Sequence, residues 1–116
     1  MLVDCLGTWL TRVVDDAGAW DDREAARRTV ETARVGLLEA LRTCPCDAVL
    51  VSNEVGLGVV PATPSGRLFR DELGRLNTAV ADLADEVLLV VAGRVLDLST
   101  APGLDAFAAG RSRSAR

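Results

Sequence analysis

The sequence predicts an α/β domain in which a parallel sheet is covered by helices. Three apolar runs of strand length occur, at Met1–Leu6, Asp47–Ser52 and Glu86–Ala92, and two segments with helical periodicity separate them. A strand–helix–strand–helix–strand order is typical of parallel sheets, because each connecting helix covers one face of the sheet. The 116 residues suffice for one domain with one core, which we assign to residues 1–100.

The first half of the chain begins with the strand "MLVDCL". A helix of one or two turns is predicted at Thr8–Val14, and Gly18 breaks it in the polar loop that follows. Asp21 or Asp22 can then cap a long helix that extends to about Thr43. The apolar positions of this helix recur at helical spacing and predict one buried face, formed by Ala26, Val30, Ala33, Leu37, Leu38 and Leu41.

The second strand follows Pro45, and its apolar centre "AVLV" is typical of a strand covered on both faces. The loop "SNEVGLGVVP" comes next, and Ser65 is the predicted cap of a second long helix. The predicted buried face of that helix consists of Phe69, Leu73, Leu76, Val80 and Leu83. On its opposite side Arg67, Asp71 and Arg75 are spaced by four residues and could pair along an exposed strip.

The third strand is followed by Gly93, which permits a turn into "RVLDLS", a possible short partner strand. Residues 101–116 are small and polar, with several arginines at the end. This composition predicts a disordered tail.

The charged residues exclude several kinds of chemistry. All 13 cationic side chains are arginine, because the chain contains no lysine and no histidine. It cannot itself provide a phosphate-binding or Schiff-base lysine, a histidine base or a histidine metal ligand. The net charge of −4 argues against a nucleic-acid partner, and no apolar stretch is long enough for a membrane span. With no signal peptide recognisable, we expect a cytoplasmic location.

The three cysteines, Cys5, Cys44 and Cys46, do not have the spacing of a metal site. Reduced thiols are expected. Cys5 falls within an apolar strand and is predicted to be a small core residue.

Polar residues follow two of the strands at their carboxyl ends, where parallel sheets bind ligands. Asp4 can orient waters on nucleotide-bound magnesium, or it can be a helix cap or a solvated residue. Glu54 can bind a metal, a sugar hydroxyl or a cationic neighbour, or it can cap its own loop. Gly56 and Gly58 allow a ligand to approach the main chain closely.

Arginines on the second long helix are a further candidate group. Arg67, Arg70 and Arg75 could reach phosphates, and the competing interpretation is a solvated helix face with salt bridges.

Three segments in order resemble the adenosylcobinamide kinase / adenosylcobinamide-phosphate guanylyltransferase family of cobalamin biosynthesis. They are "LVDCLGTWLTRVV", "VLVSNEVGLGVVP" and "GRLFRDELGRLNTAVADLADEVLLVVAGR". The resemblance covers Leu2 to Leu98 and implies a RecA-like P-loop NTPase fold and an oligomer. Members phosphorylate adenosylcobinamide with a nucleoside triphosphate. They then transfer GMP from GTP to the product through a guanylylated histidine.

The resemblance implies roles for individual residues. Asp4 matches an acidic residue that contacts the guanine nucleotide, and it could hold magnesium through a bound water. Asn53, Glu54 and Gly56 match an active-site loop. The polar positions of the next helix, which would act on substrate or at a subunit contact, are Arg70, Asp71, Arg75 and Asn77. The implied cofactors are GTP or ATP with magnesium, and no metal site is expected within this chain alone.

The sequence departs from the family at two essential features. It contains no G-x-x-x-x-G-K-[ST] phosphate loop and no histidine to be guanylylated. The chain therefore resembles the C-terminal part of the enzyme, an N-terminally truncated form that we expect to be catalytically inactive in isolation. Its expected partners are further copies of itself or a chain that carries the P-loop segment. The alternative is a non-catalytic remnant or interaction module, because a missing central strand leaves an exposed sheet edge.

Overall fold

The computed structural model describes residues 1–114. Four helices and four strands occur among them, in the order β1 (Leu2–Asp4), α1 (Leu6–Ala17), α2 (Arg23–Arg42), β2 (Val49–Val51), α3 (Pro64–Leu83), β3 (Leu88–Val91), β4 (Arg94–Asp97) and α4 (Leu104–Ser114). The chain divides into two compact units, one from Met1 to Val80 and the other from Ala81 onward. Each unit is described separately.

Local capping interactions set the end of α1 and the start of α2. Gly18 closes α1 in the left-handed conformation, with a φ of 60°, and its N–H donates to the Asp15 carbonyl at 3.0 Å. The Asp22 carboxylate caps α2 by accepting from the Ala25 N–H at 3.1 Å, which selects Asp22 over Asp21. The predictions of α1 and α2 are confirmed.

The cap of α3 differs from the prediction. Thr63, and not Ser65, accepts the Gly66 N–H at 3.0 Å through its hydroxyl oxygen. Pro64 is the first residue of the helix, a position where its missing N–H costs nothing. The cap therefore moves to the residue that precedes the proline.

The core of the first unit lies between its three helices. Its buried apolar side chains are Leu6, Leu10, Val14, Ala19, Ala26, Val30, Leu68, Leu73 and Leu76. Val3 of β1 and Leu50 of β2 pack against this core, whereas Val49 and Val51 are exposed. The strands are therefore covered on one face, and the expectation that β2 is covered on both is wrong for the described chain.

The two sheets have different topology. β1 and β2 are parallel, with Asp4 opposite Val51. β3 and β4 form an antiparallel hairpin in the second unit, through a turn at Ala92 and Gly93 with φ of 51° and 70°. The α/β class and the partner strand "RVLDLS" are confirmed, and within the second unit the third strand pairs with that partner in antiparallel orientation. A two-residue connection closes a hairpin at little entropic cost.

The second unit ends in α4, at Leu104–Ser114, where the sequence predicted a disordered tail. The negative charge of Asp105 in the first turn stabilises the helix by interacting with the positive N-terminal end of the helix dipole. The alanines that follow have the highest helix propensity of any residue. The Arg111 guanidinium lies 5.7 Å from the centre of the Phe107 ring, a cation–π distance. Residues 115 and 116 of the predicted tail lie outside the described residues.

Candidate functional site

The candidate site lies at the carboxyl edge of the parallel pair. Because β1 and β2 run in the same direction with Asp4 opposite Val51, the residues that follow both strands emerge at one edge. Cys5 leads into α1 there, and Ser52 and Asn53 lead into the loop. Asp4 and Asn53, both predicted as site residues, are exposed at this edge. The topology thus brings together two segments that are about fifty residues apart in sequence.

Asn77 of α3 holds the start of the loop. Its Nδ2 donates to the main-chain carbonyl of Asn53 at 2.9 Å. Its Oδ1 accepts a hydrogen bond from the Ser52 hydroxyl at 2.5 Å. One side-chain amide therefore fixes two consecutive residues, and the predicted site residues Asn53 and Asn77 are in direct contact.

The first turn of α1 lies against the same loop residue. The Cys5 Sγ is 3.9 Å from the Asn53 Oδ1 and 3.3 Å from the Thr8 hydroxyl. A Cβ on Gly7 would lie 3.4 Å from both the Asn53 Oδ1 and the tip of the Phe69 ring. The absence of a side chain at Gly7 thus lets α1, the loop and α3 meet closely.

Cys5 is a site neighbour that the sequence reasoning assigned to the core. It is half-buried and precedes α1, outside β1. Hydrogen bonds from Thr8, first from its side chain, hold the pKa of the Cys5 thiol below its ordinary value. The position of Cys5 directly after the carboxyl end of a strand was the signal that could have identified it.

Glu54 caps its own loop, which was one of the two roles considered for it. Its Oε1 accepts the Gly56 N–H at 2.7 Å. A Cβ on Gly56 would lie 2.9 Å from that oxygen, which is closer than a Cβ atom approaches a neighbouring heavy atom in real proteins. The Gly56 N–H therefore holds the Glu54 carboxylate in place, and both residues are exposed to solvent at the carboxyl edge.

The polar residues of α3 have partners within the chain. Asp71 accepts hydrogen bonds from Arg23, at the start of α2, and from the Arg70 Nη2 at 3.4 Å. The hydrogen bond from Arg23 is the main reason why the pKa of Asp71 lies below the ordinary value of an aspartate. Arg67 donates to the Pro61 carbonyl at 3.1 Å. These contacts join α3 to α2 and to the end of the loop.

Arg75 pairs with a residue that the sequence reasoning missed. Its Nη1 lies 2.7 Å from the Glu72 Oε1, and Glu72 is only 5% exposed. Neither Arg67 nor Asp71 pairs with Arg75 along an exposed strip, so that prediction is wrong. Nothing in the residue spacing distinguished Glu72, because its burial depends on how α3 packs.

Two open depressions, called cavities below, lie on the surface of the first unit. One of about 460 Å³ is lined by Trp20, Asp21, Thr63, Ser65, Gly66 and Phe69. The other, of about 250 Å³, is lined by Arg27, Val30, Glu31, Arg34, Glu72 and Arg75. Phe69 connects the larger cavity to the carboxyl edge, because the same ring lies beside Gly7. Trp20 was not predicted, although a tryptophan in a short polar loop is a usable signal.

The edge provides one carboxylate suited to a metal-bound water. Asp4 is exposed and oxygen-bearing, which suits magnesium, an ion that keeps several of its waters in proteins. Within residues 1–114 no group of three or more histidine, cysteine, aspartate or glutamate side chains could hold a metal. Asp4 therefore fits a water-mediated contact and not a complete coordination shell. In the same part of the chain, no helix has both the length and the apolar character needed to cross a membrane.

Sequence comparison gives consistent matches. The profile of the family described as "Cobinamide kinase / cobinamide phosphate guanyltransferase" matches residues 1–98. The chain is 40% identical over 98 residues to the bifunctional adenosylcobalamin biosynthesis protein CobU of Salmonella typhimurium. It is 38% identical over 99 residues to the protein of the same name from Escherichia coli. It is 41% identical over 105 residues to the bifunctional adenosylcobalamin biosynthesis protein CobP of Pseudomonas aeruginosa.

These alignments cover 80%, 80% and 88% of this chain, and 54% of each relative. The chain therefore spans about half the length of the curated relatives it matches.

Proposed function

Because the chain belongs to the cobinamide kinase / cobinamide phosphate guanyltransferase family, we propose that it forms one wall of that enzyme's active site. The complete enzyme would phosphorylate adenosylcobinamide and then transfer GMP from GTP to the phosphate. The observation that carries the proposal is the attachment of Asn53 to Asn77, which fixes the family-like loop at the carboxyl edge of β1 and β2. Parallel sheets bind nucleotides at this edge.

We assign the nucleotide-facing role to Asp4, at the end of β1. Its carboxylate would orient a water on a magnesium ion, and that ion would neutralise charge on the GTP or ATP phosphates. An acid at this position supports placing the fold in the RecA-like P-loop class. The loop Asn53–Gly56 would shape the adjoining wall, and the cavity beside Phe69 offers room for part of the corrinoid substrate.

We assign Arg70, Asp71 and Arg75 to the support of that wall. Asp71 is held by Arg23 and Arg70, and Arg75 is paired with the buried Glu72. Their intrachain partners favour this role over direct contact with substrate. Asn77 acts on the loop in the same way.

Two groups needed for the chemistry must come from outside these 116 residues. The chain has no lysine for the triphosphate and no histidine to be guanylylated. Phosphoryl transfer depends on positioned cations around the phosphates, so we expect no turnover from the chain alone. A P-loop-bearing segment or chain is the proposed partner, within an oligomer. The three free cysteines of the chain described here fit a reducing compartment such as the cytoplasm.

A chimera tests this proposal. Residues 1–98 would replace the matched region of the Salmonella typhimurium relative, which then supplies the rest of its own chain. We expect GMP transfer from GTP to adenosylcobinamide phosphate, with a loss of at least tenfold in Asp4→Asn. The control Arg12→Ala removes an exposed pair with Asp16 and should leave turnover unchanged. A folded chimera without turnover, or with equal turnover in Asp4→Asn, would overturn the assignment.

A second candidate function is a non-catalytic interaction module, and the exposed apolar strands favour it. Val49 and Val51 of β2 are 59% and 42% exposed, and β2 has β1 on one side only among the described strands. Unpaired strand edges attract other strands. A module would bind the P-loop-bearing half of a relative, supplied as a separate chain, without restoring turnover. The hypothesis that the chain is part of the enzyme predicts both binding and turnover in the same mixture.

A further inference from the structure

Cys44 and Cys46 lie side by side in the turn between α2 and β2. Helix α2 ends at Arg42, and Thr43 is its C-cap residue. The two sulfur atoms that follow are 3.2 Å apart, and the Cys44 Sγ is 3.4 Å from the Cys46 carbonyl oxygen. The proposed active-site wall uses neither thiol. The pair therefore calls for a separate explanation.

The turn holds the two sulfurs together. Pro45 stands between the two cysteines, and its ring fixes φ near −65° and so limits the freedom of the turn. Cys44 is half-buried and Cys46 is exposed, so a small reagent can reach the pair. The separation of the sulfur atoms is short enough that closing an S–S bond of about 2.05 Å requires a movement of little more than 1 Å.

We propose that Cys44 and Cys46 form a redox-active dithiol that closes reversibly into an intramolecular disulfide when it meets a low-molecular-weight disulfide. In the first step the Cys44 thiolate attacks one sulfur of that reagent, whose S–S bond breaks and releases one thiolate. In the second step the Cys46 thiolate, its proton lost to solvent, attacks the Cys44 sulfur and displaces the second thiolate. The protein loses two electrons and two protons, and the reagent becomes two thiols.

The assignment of Cys44 as the attacking residue follows from its surroundings. Hydrogen bonding with the Cys46 main chain, and next with the Cys46 side chain, holds the pKa of the Cys44 thiol below its ordinary value. A lower pKa increases the thiolate fraction at neutral pH, and the thiolate is the nucleophile in thiol–disulfide exchange.

The bond should be easily reduced as well as easily formed. A disulfide that closes a very short loop removes little entropy from the unfolded chain, so it gains little of the stabilisation that longer loops provide. Exposed disulfides under strain have the more oxidising potentials of labile or regulatory bonds. The pair is therefore expected to respond to the ratio of oxidised to reduced thiol and not to serve as a permanent cross-link.

Trypsin digestion provides a direct readout. Cleavage after arginine places Cys44 and Cys46 on one peptide, Thr43–Arg67, and Cys5 on another, Met1–Arg12. The full chain would be equilibrated with oxidised and reduced glutathione at several ratios, trapped with an alkylating reagent and digested. As the oxidised fraction rises, we expect the doubly alkylated peptide to be replaced by an unalkylated peptide that is two hydrogens lighter than the free dithiol. Excess reduced glutathione should reverse this change.

Two variants complete the experiment. Cys5→Ser keeps the pair and should give the same result, whereas Cys46→Ser should accumulate a lasting glutathione adduct on Cys44. Lasting glutathione adducts on both cysteines of the wild-type chain, a cross-link to Cys5, a disulfide between two chains, or no reaction would each overturn the proposal. The wild-type peptide masses decide the matter even if a variant fails to fold.

Discussion

The side-chain amide of Asn77 donates to the main-chain carbonyl of Asn53 at 2.9 Å. The two residues are 24 positions apart, and the bond links helix α3 to the loop that leaves the carboxyl end of β2. Leu57, Val59 and Val60 of the loop are all exposed, whereas Val55 packs against the core. The hydrogen bonds at its first residues and the packing of Val55 together hold the loop in place.

Asn77→Ala should loosen this loop. The variant loses the hydrogen bonds to Asn53 and Ser52, and the better helix propensity of alanine offsets part of the cost. We expect the free energy of unfolding to fall by about 1 kcal/mol and amide exchange at Val55 and Gly56 to accelerate. Thr78→Ala is the matched control, because the Thr78 hydroxyl bonds only within α3, to the Gly74 carbonyl. Equal loop exchange in both variants would contradict the role of Asn77.

Gly56→Ala should expel the Glu54 carboxylate from its position. The new Cβ would lie 2.9 Å from the Glu54 Oε1, so the side chain must swing away and the Gly56 N–H loses its acceptor. We expect faster exchange of the amide at residue 56 and a stability change of about 1 kcal/mol or less. Gly58→Ala is the control, because a Cβ at Gly58 meets nothing within 4 Å. Unchanged exchange in Gly56→Ala would show that the carboxylate is not held there.

Asp71 should make stability depend on pH in the acid range. Because the Arg23 hydrogen bond lowers the pKa of Asp71 in the folded chain, its contribution is complete above the unfolded value of about 3.9. It is lost as the pH falls below that value towards the folded pKa. Asp71→Asn should therefore reduce stability at pH 7, by about 0.5–1 kcal/mol given the partial exposure of the pair. The difference between wild type and variant should disappear at low pH.

Denaturant unfolding at several pH values measures this difference. Asp16→Asn is the control, because its side chain is 66% exposed in a surface pair with Arg12 and should contribute little. A difference between wild type and Asp71→Asn that grows as the pH falls would reverse the predicted sign.

Arg75→Ala should destabilise the chain because it leaves a buried carboxylate without its partner. Glu72 is 5% exposed and its Oε1 lies 2.7 Å from the Arg75 Nη1. We expect a loss of about 1–3 kcal/mol, measured by denaturant unfolding. The double substitution Glu72→Met with Arg75→Met should recover most of it, because removing both charges removes the burial penalty.

Arg42→Ala is the matched control for Arg75→Ala. It breaks a pair with Glu39 in which both side chains are more than half exposed, 55% and 67%, and should cost a few tenths of a kcal/mol. If Arg75→Ala were as mild as this control, a surface role for Arg75 would replace the supporting role proposed above.

Much of the fold was predictable because it depends on local signals. The cap of α2 at Asp22, the break at Gly18 and the β3–β4 turn at Gly93 each depend on a residue whose backbone or side chain acts within a few positions. Helical periodicity correctly indicated that Ala26 and Val30 of α2 and Leu73 and Leu76 of α3 are buried, but it missed Leu68 and Glu72. Family membership was readable for the same reason, since the matching motifs are continuous stretches of the chain.

The sequence by itself determined the four strands, the helices α1 to α3, their order, the family, and the absence of lysine and histidine chemistry from this chain. Only the tertiary structure decided the partners of the helix side chains: Asn77 with Asn53, Asp71 with Arg23, and Arg75 with a buried Glu72. The physical reason is the distance along the chain over which each kind of interaction acts. Propensity and capping act over a few residues, whereas burial and long-range hydrogen bonds depend on which helix faces pack together once the core has formed.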